Sequence, residues 1–166
     1  MNLARALTTL GHKVERKHPD INWGGCGVFA ALVAKRLKKH FDVKIRVGND
    51  ITPEVAIDDI RTRVESNTVD EWNCEDMWFS HVVIEFQWKG KTYHYDTTGL
   101  HEASDTTYMG GYPIVEGHLT VREMTELARS KGWNTSFDRD SIPEIRKTIN
   151  AAFKRINKRL KVAKTT

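Results

Sequence analysis

A cysteine at the threshold of an apolar helix is the first group in this chain that could do chemistry. In "NWGGCGVFAALVAKRLKK", residues 22–39, Cys26 follows Gly24 and Gly25. It precedes Val28, Phe29, Leu32, Val33 and Leu37, which recur at helical spacing. A helix over residues 26–41 therefore begins at the sulfur. Unpaired backbone N–H groups and the positive end of a helix dipole stabilise a thiolate there. The same N–H groups suit the oxyanion that forms when a thiolate attacks a carbonyl. Glycines at 24 and 25 let a substrate backbone approach closely. A small buried residue heading an apolar stripe would account for the stretch equally well, so the stretch alone leaves nucleophile and core residue both open.

A nucleophilic thiol needs a base, and a histidine base needs a partner to orient it. "SHVVIEFQWKGKTYHYDTTG", residues 80–99, reads as a hairpin turning at Lys89-Gly90. That turn pairs Trp88 with Lys91, Phe86 with Tyr93, Ile84 with Tyr95 and Val83 with Asp96. Val82, Ile84, Phe86, Trp88, Tyr93 and Tyr95 then share one apolar face, which must be buried. The other face carries His81, Val83, Glu85, Gln87, Thr92, His94, Asp96 and Thr98. His81 and Asp96 are diagonal neighbours on it, about 7–8 Å apart at their alpha carbons, a spacing that suits an imidazole bonded to a carboxylate. His94 is the competing histidine. It pairs directly with Glu85, which predicts an exposed cross-strand charge pair. A three-residue loop would put His81 and Asp96 on opposite faces.

The elements that must hold these groups follow from the rest of the pattern. A short helix is predicted over residues 2–10, ended by Gly11. "VKIRVG" (43–48) alternates as a strand. "TPEVAIDDIRTRVES" starts a helix with Thr52 as cap and Pro53 in the first turn. Residues 67–79 and 101–117 read as loops. "TVREMTELARSKGW" is a helix capped by Thr120, with Glu123 completing a capping box. The last helix, from Ser141 and Glu144 in the same arrangement, places Ile142, Ile145, Ile149, Ala152, Phe153 and Ile156 along one stripe. Strands lie mid-chain with helices before and after, so the class is α+β. One domain is expected over 1–166, with a C-terminal helical segment over 118–160.

Totals exclude several alternatives. The chain has 166 residues, enough for one self-sufficient core. It has no apolar run of ~18 residues and no signal-like N-terminus, which predicts a cytoplasmic protein without a membrane span. Two cysteines, Cys26 and Cys74, make no disulfide framework and no C-x-x-C, and the seven histidines form no H-x-x-x-H pair. No metal site and no cofactor are expected. Net charge is +4, concentrated in "KRLKK" (35–39) and in residues 146–164. A basic helix can grip nucleic acid or an acidic protein, and is more commonly a solvated face.

Taken together, these segments resemble the transglutaminase-like branch of the papain-like cysteine enzymes. "GGCGVFA" resembles that superfamily's G-x-C-W-x-[FL]-A. "SHVVIEFQWKGKTYHYDTTG" resembles its H-x-W-[VI]-E, followed by a strand ending in D-x-T. The resemblance covers roughly residues 22–50 and 80–99. It implies a nucleophile helix packed on a central antiparallel sheet, with flanking C-terminal helices. It also implies Cys26 as nucleophile, His81 as base and Asp96 as its orienter. Two positions depart from the pattern: Gly27 stands in place of a tryptophan, and Val83 in place of another. Asn22 and Trp23 are candidate oxyanion donors, and Gly25 a point of substrate approach. The implied function is acyl transfer from an amide, peptide or isopeptide through a thioester; water is the favoured acceptor, because the residues at 27 and 83 supply no aromatic wall to exclude it. An amine acceptor, as in crosslinking, is the variant. A catalytically idle binding protein that uses its basic C-terminal helix is the alternative of a different class.

Overall fold

A computed structural model describes residues 3–22, 24–48, 57–69, 81–105, 114–130 and 137–163. Helix α1 (Leu3–Lys17) leads through a 3-10 turn (Pro19–Asn22) to α2 (Cys26–Leu37) and strand β1 (Val43–Gly48). Helix α3 (Ile57–Ser66) follows, then β2 (His81–Trp88), β3 (Lys91–Tyr95) and β4 (Leu100–Glu102). The chain closes with α4 (Val121–Arg129), a second 3-10 turn (Arg139–Ser141) and α5 (Ile142–Ala163). The class is α+β, as the sequence predicts. The strands form one antiparallel sheet in the order β1-β2-β3-β4.

The hairpin register is the predicted one. Ile84 faces Tyr95, Phe86 faces Tyr93 and Trp88 faces Lys91. Lys89 and Gly90 both have positive φ, 52° and 75°. This is the two-residue turn whose twist matches that of the strands it joins. Val82, Ile84, Phe86 and Tyr95 are buried, and α2 covers them, with the Phe29 ring 5.7 Å from that of Tyr95. Helix α1 lies on the same side, where Leu7 O accepts the Tyr95 hydroxyl proton at 2.8 Å. The second face is less polar in its setting than expected, because Val83 and His94 are buried too.

Three local expectations change. Gly11 does not end α1, which runs on to Lys17. A Cβ at Gly11 would stand 2.4 Å from Thr97 O, so its missing side chain lets the helix press on the 96–97 backbone. Residues 101–117 are not all loop: Leu100–Glu102 is a strand. Ile114 and Leu119 bridge to Gly48 and Ile45, sealing the outer edge of β1. Ser141 does not cap α5. Its hydroxyl donates back to Asp138 O at 2.6 Å, and Glu144 pairs with Lys17 at 3.1 Å instead. The Thr120 capping box forms as predicted, whereas the Thr52-Pro53 cap lies outside the described residues.

Helix α5 docks against α1 and α2. Ile145, Ile149, Phe153 and Ile156 are buried, and Ile142 and Ala152 are half-buried. Arg146, Lys147, Lys154, Arg155 and Lys158 are exposed. Among the described residues no helix is long and apolar enough to cross a membrane.

Candidate active site at the start of α2

Gly25 is the N-cap of α2 and brings no side-chain acceptor to it. The first amides of the helix are therefore left to other partners. Those of Cys26 and Gly27 both address the Cys26 sulfur, and so does the Val82 N–H from β2. The sulfur thus lies against the residue that follows His81, and within the electrostatic reach of Asp96.

The His81–Asp96 pair forms as the hairpin parity predicts. His81 Nε2 and Asp96 Oδ2 are 2.6 Å apart, with side chains 13% and 3% exposed. Asp96 serves two ends at once. Its Oδ1 accepts from Thr98 N at 2.8 Å, Thr98 Oγ1 at 2.6 Å and Gly99 N at 3.2 Å. These bonds fix the turn that follows β3 and aim Oδ2 at the imidazole. Burial pushes the carboxyl pKa up, but the hydrogen bonds from His81 and Thr98 outweigh it and hold the group below its ordinary value. With Asp96 ionised, His81 Nε2 carries the proton it shares. The nitrogen that can accept another is then Nδ1.

The state of the thiol differs from the thiolate that helix position alone suggests. Cys26 is 8% exposed. Burial, with a smaller push from Asp96, raises its pKa to about 11, the three N–H groups offsetting only part of the rise. Desolvation wins over the helix end because the sulfur sits inside the core rather than at its margin. Among the described residues no hydrogen bond joins the thiol to the His81 ring.

Asn22 and Gly25 are engaged in packing. Asn22 Nδ2 donates to Glu15 Oε1 at 2.8 Å, and its Oδ1 accepts from the Thr97 hydroxyl. Its amide therefore ties the chain before Cys26 to α1 and to the Asp96 turn. A Cβ at Gly25 would lie 2.6 Å from the Phe137 ring and 2.9 Å from Ile21 Cα. The space that Gly25 leaves is filled by the protein itself, not open to a substrate backbone. Trp23, Cys74 and most of the two flanking loops lie outside the described residues. His94 does pair with Glu85, at 3.0 Å, but the pair is not exposed. The His94 side chain is 3% exposed, and Arg46 approaches the same carboxylate at 3.8 Å. No group of three or more potential metal ligands occurs among the described residues.

Sequence reasoning did not single out Thr97 or Thr98, although both build the site. The "DTTG" string carried the signal, since hydroxyls just after an aspartate are placed to bond its carboxylate. The chain matches no family model, no curated protein and no solved structure.

Proposed function

We propose that this protein is a cysteine acyl-transfer enzyme that cleaves an amide through a thioester, with water as the acceptor. The observation that carries this is the buried His81–Asp96 pair, 2.6 Å long, beside a thiol addressed by three backbone N–H groups. The resemblance to transglutaminase-like enzymes points the same way. In the proposed cycle the Cys26 proton passes to His81 Nδ1, and the resulting imidazolium is stabilised by Asp96. The sulfur attacks the amide carbonyl carbon. Backbone N–H groups at the first turn of α2 donate hydrogen bonds to the developing oxyanion. His81 then returns the proton to the leaving amine, giving a thioester on Cys26. A water that loses its proton to His81 releases the acid and restores the thiol. The substrate class is a protein or peptide, and neither metal nor cofactor is called for.

A thiol held near pKa 11 also fits an idle scaffold. The two readings separate on one measurement. Incubation with peptide thioesters, followed by intact mass, should show an acyl adduct on Cys26 that decays with release of acid. The adduct should be absent in Cys26→Ala and should not accumulate in His81→Ala. Hydrolysis that survives in Cys26→Ala, or no adduct across a varied peptide set, would sink the proposal. Transfer of the acyl group to added amines in preference to water would move it to the amine-accepting variant.

A further inference from the structure

Away from Cys26, positive charge converges on a cavity of about 90 Å³ where α2, α4 and α5 meet. Lys35 of α2, Arg129 at the end of α4, Arg139 of the second 3-10 turn and Arg146 of α5 all line it. Arg139 is committed to the end of α4, donating to the carbonyls of Ala128, Arg129 and Ser130. Arg129 reaches Glu126 at 3.3 Å, an exposed pair that neutralises little. Among the described residues, neither Lys35 nor Arg146 has a carboxylate in ion-pair range. The crowding is felt by the groups themselves. Burial lowers the Lys35 pKa, and repulsion from Arg129 and Arg146 lowers it further, with Glu126 opposing. Burial and Arg146 do the same to Arg36. The first residue of α5, Ile142, is also in the cavity wall, so the positive end of a 22-residue helix adds to the same field.

We infer that this cavity binds a dianionic phosphate group, either inorganic phosphate or the terminal phosphate of a small phosphomonoester. Guanidinium and ammonium groups converging on a small volume match a tetrahedral oxyanion. The cavity corresponds to about three waters' share of liquid volume, which one phosphate group would displace. A recess of this small size favours a terminal phosphate over a nucleic-acid diester, whose chain must leave at both ends. Lys154 and Lys158, exposed further along α5, do not line it and serve as controls.

The test is calorimetric titration of the full chain with inorganic phosphate and with glycerol phosphate, at ionic strength held constant by chloride. Saturable one-to-one binding is expected. Lys35→Gln and Arg146→Gln should each weaken it by about tenfold or more, and Lys154→Gln should leave it unchanged. Without phosphate both cavity variants should melt no lower than the wild type, because each removes like-charge repulsion. Tighter binding of glycerol phosphate would identify a phosphomonoester as the ligand, and tighter binding of inorganic phosphate would identify the free ion. Heats no different from those of chloride, or equal affinity in the cavity variants, would overturn the inference. So would tight binding of a single-stranded oligonucleotide that Lys154→Gln damages as much as Arg146→Gln, since that marks an extended nucleic-acid face.

Discussion

At the scale of single residues the site turns on where protons rest. A thiol with a pKa of about 11 is ionised to roughly one part in ten thousand at neutral pH. On the proposed mechanism, reactivity near neutrality comes through His81. At neutral pH the rate of alkylation of Cys26 should be higher in the wild type than in His81→Ala. In His81→Ala it should keep climbing toward pH 11. Equal rates at neutral pH in the two proteins would mean that the ring does not take the thiol proton. Asp96→Asn tests the other end of the relay. Asparagine Oδ1 can still accept from Thr98 and Gly99, but its Nδ2 would donate to His81 Nε2. The ring would then carry its proton on Nδ1, the nitrogen needed as a base, and turnover should drop by roughly 10³–10⁴-fold. Because the folded carboxyl pKa is depressed, its stabilisation is present above the ordinary carboxylate range and is lost as pH falls through the folded value. The acid limb of stability, followed by urea denaturation, should therefore be shallower in Asp96→Asn. The pairing of His81 with Asp96 was legible in the sequence, because the two-residue turn at Lys89-Gly90 fixes the parity of every residue after it. The burial of Cys26, the Glu15 partner of Asn22 and the Phe137 ring over Gly25 were not. The Phe137 ring comes from a segment distant in sequence and the Glu15 partner from across the turn between α1 and α2, and periodicity carries no information about either.

At the scale of elements, α1 backs the Asp96 turn. Tyr95 donates to Leu7 O, His12 Nε2 meets Thr98 O at 2.9 Å, and Gly11 rests on Thr97 O. The rule that glycine ends helices fails at Gly11, which sits inside α1. A close backbone contact is visible only once α1 is laid on the sheet. The distinction can be measured. Helix propensity alone favours Gly11→Ala by about 1 kcal/mol. The collision at 2.4 Å is with backbone, which cannot rotate away, and overpacking of this kind costs about 1–3 kcal/mol. Gly11→Ala should therefore lower the urea midpoint and, by shifting the Asp96 turn, reduce turnover as well. A stabilised variant would mean that α1 moves aside freely and does not hold the turn.

At the scale of the whole molecule, α5 connects the two halves of the chain, closing over α1 and α2 from the far end of the sequence. Its burial pattern was legible from spacing alone, since isoleucines and a phenylalanine at helical intervals need a covering surface and the domain's own core supplies it. The four buried side chains Ile145, Ile149, Phe153 and Ile156 each contribute about 1.5–3 kcal/mol, less what a compact unfolded chain already hides. Even after that discount the sum approaches the total stability of an ordinary domain, about 5–15 kcal/mol. Deleting residues 142–166 exposes the partners of those side chains on α1 and α2 and removes the Lys17–Glu144 pair. The truncated chain should lose its cooperative thermal transition. Ending the chain after Leu160 keeps all four anchors, and its melting curve should stay close to that of the full chain. A chain ending at Ser141 that still melts cooperatively and turns over substrate would show that α5 is an appended helix rather than part of the core. The exposed cations it carries would then have to be explained by a partner outside this domain.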